Sequence, residues 1–229
     1  MDNSVKFIRI NPHISLITSD LNFICAQIGI IQGKKESLLI DAGASCAQIN
    51  LLKEKIESKE LNDNISKCII THFHPDHIKN LEILNNLEVI GSKNTSRYTR
   101  VDTLINKNAT LDLGDISVEI IPLPSIHAKG SLCIYIPVYK IMFIGDSLCL
   151  RGENDNKRVT NKDITMNMVN ILKSHPTDLY IDGHKPFLNT SKVNEYLDFL
   201  LDKCKKSPSF NVEISKEEYN EGNLLDFFI

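Results

Sequence analysis

Residues 71–77 read T-H-F-H-P-D-H and hold three of the chain's seven histidines beside an aspartate. Along an extended segment, side chains two apart point the same way, so His72 and His74 can reach one metal ion from the end of an apolar strand. The turn at Pro75 brings Asp76 and His77 round at the start of a helix, where they need not face the same ion. Imidazoles and a carboxylate are donors that zinc, iron and manganese all accept. The competing reading is a polar loop with chance histidines. With seven in 229 residues, three inside positions 72–77 argue against chance.

A catalytic ion needs further ligands, and three places supply them. P-S-I-H-A-K-G-S-L carries His127, F-I-G-D-S-L carries Asp146, and Y-I-D-G-H-K-P-F carries His184. Taken singly, a strand-end aspartate is ordinarily a turn former or a cap, and a loop histidine is ordinarily just solvated. Each of these three, however, follows or joins an apolar strand, and each has a glycine nearby. Lys129 and Lys185 stand beside two of them and could meet an anionic substrate, although solvated lysines are the commoner case.

The elements that must position these groups follow from periodicity. Runs 22–31 and 36–41 flank G-K-K as a hairpin. Ile49, Leu52 and Ile56 mark a helix over 47–58. K-C-I-I-T (67–71) is a buried strand leading into the motif, and Pro75 suits the first turn of a helix continued by Ile78, Leu81 and Leu84. Strands follow at 87–91, 116–121, 131–136, 140–146 and 178–183. Ile164, Met168 and Ile171 mark one helix, and Val193, Leu197, Leu200 and Cys204 another. S-K-E-E (215–218) has the form of a capping box. No sequence repeat and no linker divides the chain, so residues 1–229 are expected to form one domain. Strands followed by a helix in each half imply two packed sheets with helices outside.

The ordered set H-F-H-P-D-H, a histidine at 127, G-D at 145–146 and G-H at 183–184 resembles the signature of the metallo-β-lactamase superfamily, over roughly residues 20–190. The resemblance implies an α+β fold, an αββα four-layer sandwich of two mixed sheets with outer helices. It implies that His72, His74 and His127 hold one ion, that Asp76, His77 and His184 hold a second, and that Asp146 bridges them. Asp41, closing L-L-I-D-A-G, matches an aspartate that braces such a site from behind its ligands. An aspartate at the bridging position resembles the glyoxalase II, lactonase and tRNA-processing branches rather than the cysteine-liganded β-lactamases. The flavin-linked diiron reductases have glutamate where this chain has His74. Two flanks depart from the pattern: I-K-N follows D-H where glycines are common, and I-H-A stands where G-H-T or G-H-S is common.

The function this implies is dinuclear metal-dependent hydrolysis. Two ions about 3.5–4 Å apart share a metal-bridging hydroxide whose pKa falls to near 7. Asp76 would orient it and shuttle a proton. The substrate expected is a small ester, thioester or lactone, and the ions are expected to be zinc, with iron or manganese suited by the same donors. Alternatives are a mononuclear-iron sulfur dioxygenase of the same fold, a phosphodiesterase or ribonuclease of the superfamily, and a non-enzymatic sensing module. A nucleic-acid substrate calls for a basic gripping arm, whereas R-G-E-N-D-N-K-R (151–158) is mixed in charge. The chain as a whole carries 26 Lys and Arg against 29 Asp and Glu, so neither nucleic acid nor a membrane is an expected partner. No apolar run reaches the length of a membrane span. The six cysteines form no C-x-x-C and are expected to be reduced core residues of a cytoplasmic protein. The apolar end L-L-D-F-F-I is expected to dock on the body or on a second copy, so a homo-oligomer stays open.

Overall fold

The computed structural model describes residues 5–20, 22–154, 157–185, 187–215 and 218, with the backbone alone described at 151–154. The apolar C-terminal end L-L-D-F-F-I lies outside these residues.

The first half of the chain builds a seven-stranded mixed sheet. β1 (Phe7–Arg9), β2 (Ile14–Ile17), β3 (Ile28–Gln32) and β4 (Ser37–Ile40) run antiparallel as a meander. Helix α1 (Cys46–Glu57) then carries the chain across to β5 (Ile65–Ile69), which is parallel to β4. Helix α2 (Pro75–Ile78) leads to β6 (Glu88–Gly91) and β7 (Thr103–Leu104), which continue the parallel run. The helix expected through Leu84 stops at Ile78 and tightens into a 3₁₀ turn over Lys79–Glu82.

A second, five-stranded sheet has the order β14-β11-β10-β9-β8. Its members are β8 (Ala109–Asp112), β9 (Ser117–Leu123), β10 (Ser131–Ile136) and β11 (Ile141–Gly145), with β14 (Leu179–Asp182) added in parallel to β11. Between β11 and β14 come β12 (Arg151–Asn154), β13 (Lys157–Asn161) and α3 (Lys162–Lys173); after β14 come α4 (Thr190–Lys206) and β15 (Asn211–Ser215). β12, β13 and β15 form a third small sheet that the periodicity of the sequence does not announce. Ser215 and Glu218 make the reciprocal bonds of the expected capping box, Ser215 N–H to Glu218 Oε2 at 3.1 Å and Glu218 N–H to Ser215 Oγ at 3.3 Å.

Strand alternation sorts the apolar side chains into three layers. Leu38, Ile40, Ile69 and Ile90 of the first sheet meet Leu132, Ile134, Ile136, Ile141 and Phe143 of the second in the central layer. The intervening residues Leu39, Cys68, Ile70 and Val89 face outward onto Ile49 and Leu52 of α1. Cys133, Tyr135, Met142 and Ile144 face the other way, onto Met168 and Leu172 of α3 and Val193, Leu197 and Leu200 of α4. The result is the expected αββα sandwich. Strands buried on both faces explain why K-C-I-I and L-C-I-Y-I read as continuous apolar runs rather than alternating ones. Among the described residues, no helix is long and apolar enough to cross a membrane.

Candidate metal centre

The motif begins where β5 ends. Thr71 and His72 are buried at the strand's mouth, and His74 caps α2 in extended backbone (φ −66°, ψ 145°) with Pro75 in the first turn. His72 and His74 therefore project together from extended chain, while Asp76 and His77 project from the helix. The turn between β9 and β10 brings in His127, the end of β11 brings Asp146, and the end of β14 brings His184.

The donor atoms converge in two groups that share Asp146: His72, His74, His127 and Asp146, and Asp76, His77, Asp146 and His184. Within each group they lie within 4.8 Å of one another. In the first, His74 Nδ1 is 3.0 Å from both His72 Nε2 and His127 Nε2, and Asp146 Oδ2 is 3.3 Å from His127 Nε2. In the second, His184 Nε2 is 3.2 Å from Asp76 Oδ2 and 3.3 Å from Asp146 Oδ2, and His77 Nε2 is 3.4 Å from Asp146 Oδ1. Donors about 2.0–2.1 Å from one tetrahedral ion stand about 3.3–3.4 Å apart, so both groups have close to the spacing that divalent metal ions need.

A metal also answers the hydrogen-bond and charge balance of the site. His77 Nε2 and Asp146 Oδ1 are buried side by side with no hydrogen-bond partner, although buried polar atoms are almost always satisfied. Burial opposes ionisation of Asp146, but His127, His184 and His77 turned toward it override that and hold its carboxyl far below the usual range. Asp146 and Asp76 raise His184 to about 11. Burial alone would lower His77 and His127, yet Asp41 and Asp146 lift His77 to about 10, and Asp146 with Cys149 lifts His127 to about 9. His72, desolvated and facing His77, is pushed down to about 2. The cavity thus demands positive charge around Asp146, which cations can supply in place of protons.

Behind the ligands, Asp41 is buried and sits at φ 58°, in the left-handed region. Its Oδ1 accepts from the Thr71 N–H, and its Oδ2 accepts from the Thr71 hydroxyl and lies against His77 Nδ1, each at 2.8 Å. That contact leaves the proton on Nδ1 and turns Nε2 toward Asp146. Two glycines near the ligands answer close approach. A side chain at Gly183 would place Cβ 2.1 Å from Asp146 Oδ1, and one at Gly145 (φ 51°) would place Cβ 2.8 Å from the Thr71 hydroxyl oxygen. The I-K-N departure is accommodated because Asn80 is buried and its amide donates to Ala42 O at 3.0 Å and Ser45 O at 3.2 Å. It ties the loop after Asp41 to the 3₁₀ turn over Lys79–Glu82.

All seven side chains singled out by the sequence as ligands are brought together, and Asp41 lies directly behind them. Lys129 is exposed and Lys185 is half-buried. The cysteine expectation needs correction at two positions: Cys46 and Cys149 are exposed, while the other four are buried. Cys46 opens α1 and Cys149 lies in the turn after Asp146, at chain positions that no longer belong to the apolar strands. Thr71 and Gln27 also support the site, and neither carries a local signature in the sequence. Gln27 donates through Nε2 to Lys185 O at 2.9 Å and to Asp182 O, and Cys25 O stands 3.2 Å from His184 Nδ1. Both contacts are to backbone carbonyls, which carry no side-chain signature in sequence.

This fold and this donor arrangement define the metallo-β-lactamase superfamily. Residues 23–185 match the model of the ODP family beta lactamase, and the chain belongs to that family. Among curated proteins it is similar to a hydroxyacylglutathione hydrolase of Buchnera aphidicola, 28% identical over 127 residues that cover 54% of this chain and 47% of that one. The chain spans about half the length, or less, of the curated relatives it matches. Among solved structures it resembles a metallo-beta-lactamase from Pontibacter korlensis (TM-score 0.69, 17% identity, 89% of this chain and 100% of that one). It also resembles the chemotaxis sensor ODP, solved as a peroxy diiron species (TM-score 0.67, 16% identity, 86% and 94%). At these identities the structures speak for the fold.

Proposed function

We propose that this chain is a metal-dependent hydrolase with two divalent ions, acting on a small ester, thioester or lactone. The observation that carries the reading is the pair of four-donor groups sharing Asp146, with a buried nitrogen and a buried oxygen otherwise unpartnered between them. His72, His74 and His127 would hold one ion, and Asp76, His77 and His184 the other. When bound, such ions supply Lewis acidity and water that ionises near neutral pH.

The chain's own residues prepare that chemistry. Asp41 holds the His77 proton on Nδ1. The Cys25 carbonyl faces His184 Nδ1 and can hold a proton there, leaving Nε2 free. Asp76 is half-buried; burial disfavours its charge, but His184 and His77 keep its pKa below normal. It therefore stays ionised, able to orient a water and to receive its proton. Support for hydrolysis comes from the hydroxyacylglutathione hydrolase relatives and from an imidazole, His74, where diiron reductases carry a carboxylate. Zinc is the ion we expect first, in a cytoplasmic protein.

A second reading is favoured by the family match and by the diiron chemotaxis sensor among the structural neighbours: both ions are iron, and the domain binds a small oxidant rather than hydrolysing. Metal content of purified protein, followed by a screen of thioesters, lactones and phosphodiesters, separates the readings. Two zinc ions per chain with thioesterase or lactonase turnover fits the first. Two irons without hydrolysis fits the second, and one iron per chain contradicts both. His74→Ala should lower metal content and abolish turnover; full activity in a metal-depleted His74→Ala protein would end the proposal.

A further inference from the structure

Behind the ligands lies a small cavity where the central apolar layer meets the metal centre. Its volume is about 10 Å³, room for the centre of one water molecule. Ile40, Phe143 and Ile181 of that layer give it apolar walls, and Gln27, Asp41 and Asp182 give it polar ones.

Gln27, just before β3, is 3% exposed and reaches the loop that carries His184. Its backbone N–H donates to Gly183 O at 2.7 Å. Its side-chain Nε2 donates to Lys185 O at 2.9 Å and to Asp182 O. Ser19 Oγ donates to His184 O at 3.0 Å. The segment before β3 thus holds all four residues 182–185. Two of those carbonyls also fix the Gln27 amide. A flipped side chain would set Oε1 against both of them, acceptor against acceptor. Oε1 is therefore kept off the loop, and there it is buried with no hydrogen-bond partner among the described residues. Buried polar atoms are almost always satisfied.

Few groups can satisfy this one. The Thr71 hydroxyl, which also lines the cavity, already donates to Asp41 Oδ2 at 2.8 Å. Asp182 Oδ1 accepts from the His184 N–H at 2.9 Å. A hard cation such as calcium takes about six to eight oxygens, and the three apolar side chains leave too few. One water fits the volume, brings two hydrogens, and finds the two or more polar partners that a buried water needs.

We propose that the cavity is a hydration site for one resident water, which donates to Gln27 Oε1 and to a lining carboxylate and so locks Gln27 as a positioning residue for His184. The loop then keeps His184 Nε2 at 3.2 Å from Asp76 Oδ2 and 3.3 Å from Asp146 Oδ2. The hydration site stands on the cavity and the unpartnered oxygen. Its consequence for an ion rests on the reading of His184 as a ligand.

Crystals of the full-length protein and of Gln27→Met test the site. Wild type should show one water peak in the cavity, about 2.5–3.0 Å from Gln27 Oε1. Gln27→Met has a similar length and no amide, and it should lose that peak. In solution, oxygen-17 magnetic relaxation should count one fewer long-lived water in the variant. No peak in wild type, a peak retained in Gln27→Met, or equal water counts would overturn the hydration site. Zinc titration tests the positioning role. Gln27→Met should weaken one ion about tenfold, as loss of a supporting partner does, and leave the other unchanged. A merely structural role would weaken both alike, and that result, or two unweakened ions, would overturn the positioning. Wild type that binds no second ion would refute the two-ion reading, while the crystals would still decide the water.

Discussion

Replacing Asp41 by asparagine should weaken one of the two ions and spare the other. Asparagine tolerates the left-handed backbone at this position (φ 58°), so the change removes a charge without imposing strain. Its amide has one acceptor oxygen where the carboxylate has two. If that oxygen faces the fixed Thr71 N–H, the NH2 group meets the Thr71 hydroxyl and His77 Nδ1, both now 2.8 Å from Oδ2. The hydroxyl can rotate to accept. His77 can accept only by moving its proton to Nε2, the nitrogen that faces Asp146 at 3.4 Å. The opposite amide orientation sets NH2 against the backbone N–H, which has no alternative and costs about 1–3 kcal/mol. Either way the second group loses a donor or its orientation. Loss of such a supporting partner lowers metal affinity about 10–100-fold, or about 1.4–2.7 kcal/mol. The His72–His74–His127 group is linked to Asp41 through the Thr71 hydroxyl, 3.2 Å from His72 Nδ1, and a hydroxyl oxygen that accepts from both the new amide and His72 leaves that group's donors in place. Zinc titration of chelator-stripped Asp41→Asn against a chromophoric competitor should show one tight and one weakened ion, with unchanged far-UV circular dichroism. Two ions bound as tightly as in wild type would refute the role given to Asp41.

Three further outcomes are expected. Gly183→Ala puts a methyl group where Asp146 Oδ1 stands 2.1 Å away; it should cost about 1–3 kcal/mol of stability by overpacking and sharply lower metal content, measured by thermal melting and elemental analysis. Gln48→Ala should destabilise by about 2–4 kcal/mol in urea with metal content intact. Gln48 is fully buried, donates to Ala26 O at 2.8 Å and Thr18 O at 3.1 Å, and accepts from Ala44 and Ser45 N–H. Apparent metal affinity should rise with pH across the neutral range with net proton release, read by calorimetry in buffers of different ionisation heat, because His77, His127 and His184 are lifted to about 10, 9 and 11 and metal must displace their protons. The sign for stripped protein is opposite. Raised folded pKa values stabilise it fully below the unfolded histidine value near 6.5, and that contribution is lost as pH climbs through about 9–11.

Much of this site was legible in the sequence because its donors sit at places where strands end. Apolar runs such as K-C-I-I and M-F-I-G announce where a buried strand stops, and the polar residues just beyond it fall at the sandwich edge, which drew notice to His127, Asp146 and His184 beside nearby glycines. His72 and His74 followed from two-residue alternation, Asp76 and His77 from the turn at Pro75, and the division into two ligand groups from the family resemblance. What stayed hidden depends on tertiary approach. Nothing local marks Thr71 as a neighbour of Asp41, or the Cys25 carbonyl as the partner of His184. Tyr98 meets Phe73 because β6 pairs beside β5, a neighbourhood that nothing in the local sequence marks. Strands β1, β2, β7 and β8 and the small third sheet were missed because each is only two to five residues long and lacks a long apolar run. The early end of α2 reflects backbone bonds made outside it: Asp76 O accepts from the Ala26 N–H, His77 O accepts from the Ala42 N–H, and the Asn80 N–H donates to Gly43 O.

Whether two ions flank Asp146 is decided by anomalous diffraction from crystals of metal-loaded protein, collected at the absorption edge of the metal found. Two peaks are expected, one among His72, His74 and His127 and one among Asp76, His77 and His184, both within bonding reach of the Asp146 carboxylate. A single peak, or an ion held by other residues, would contradict a two-ion centre.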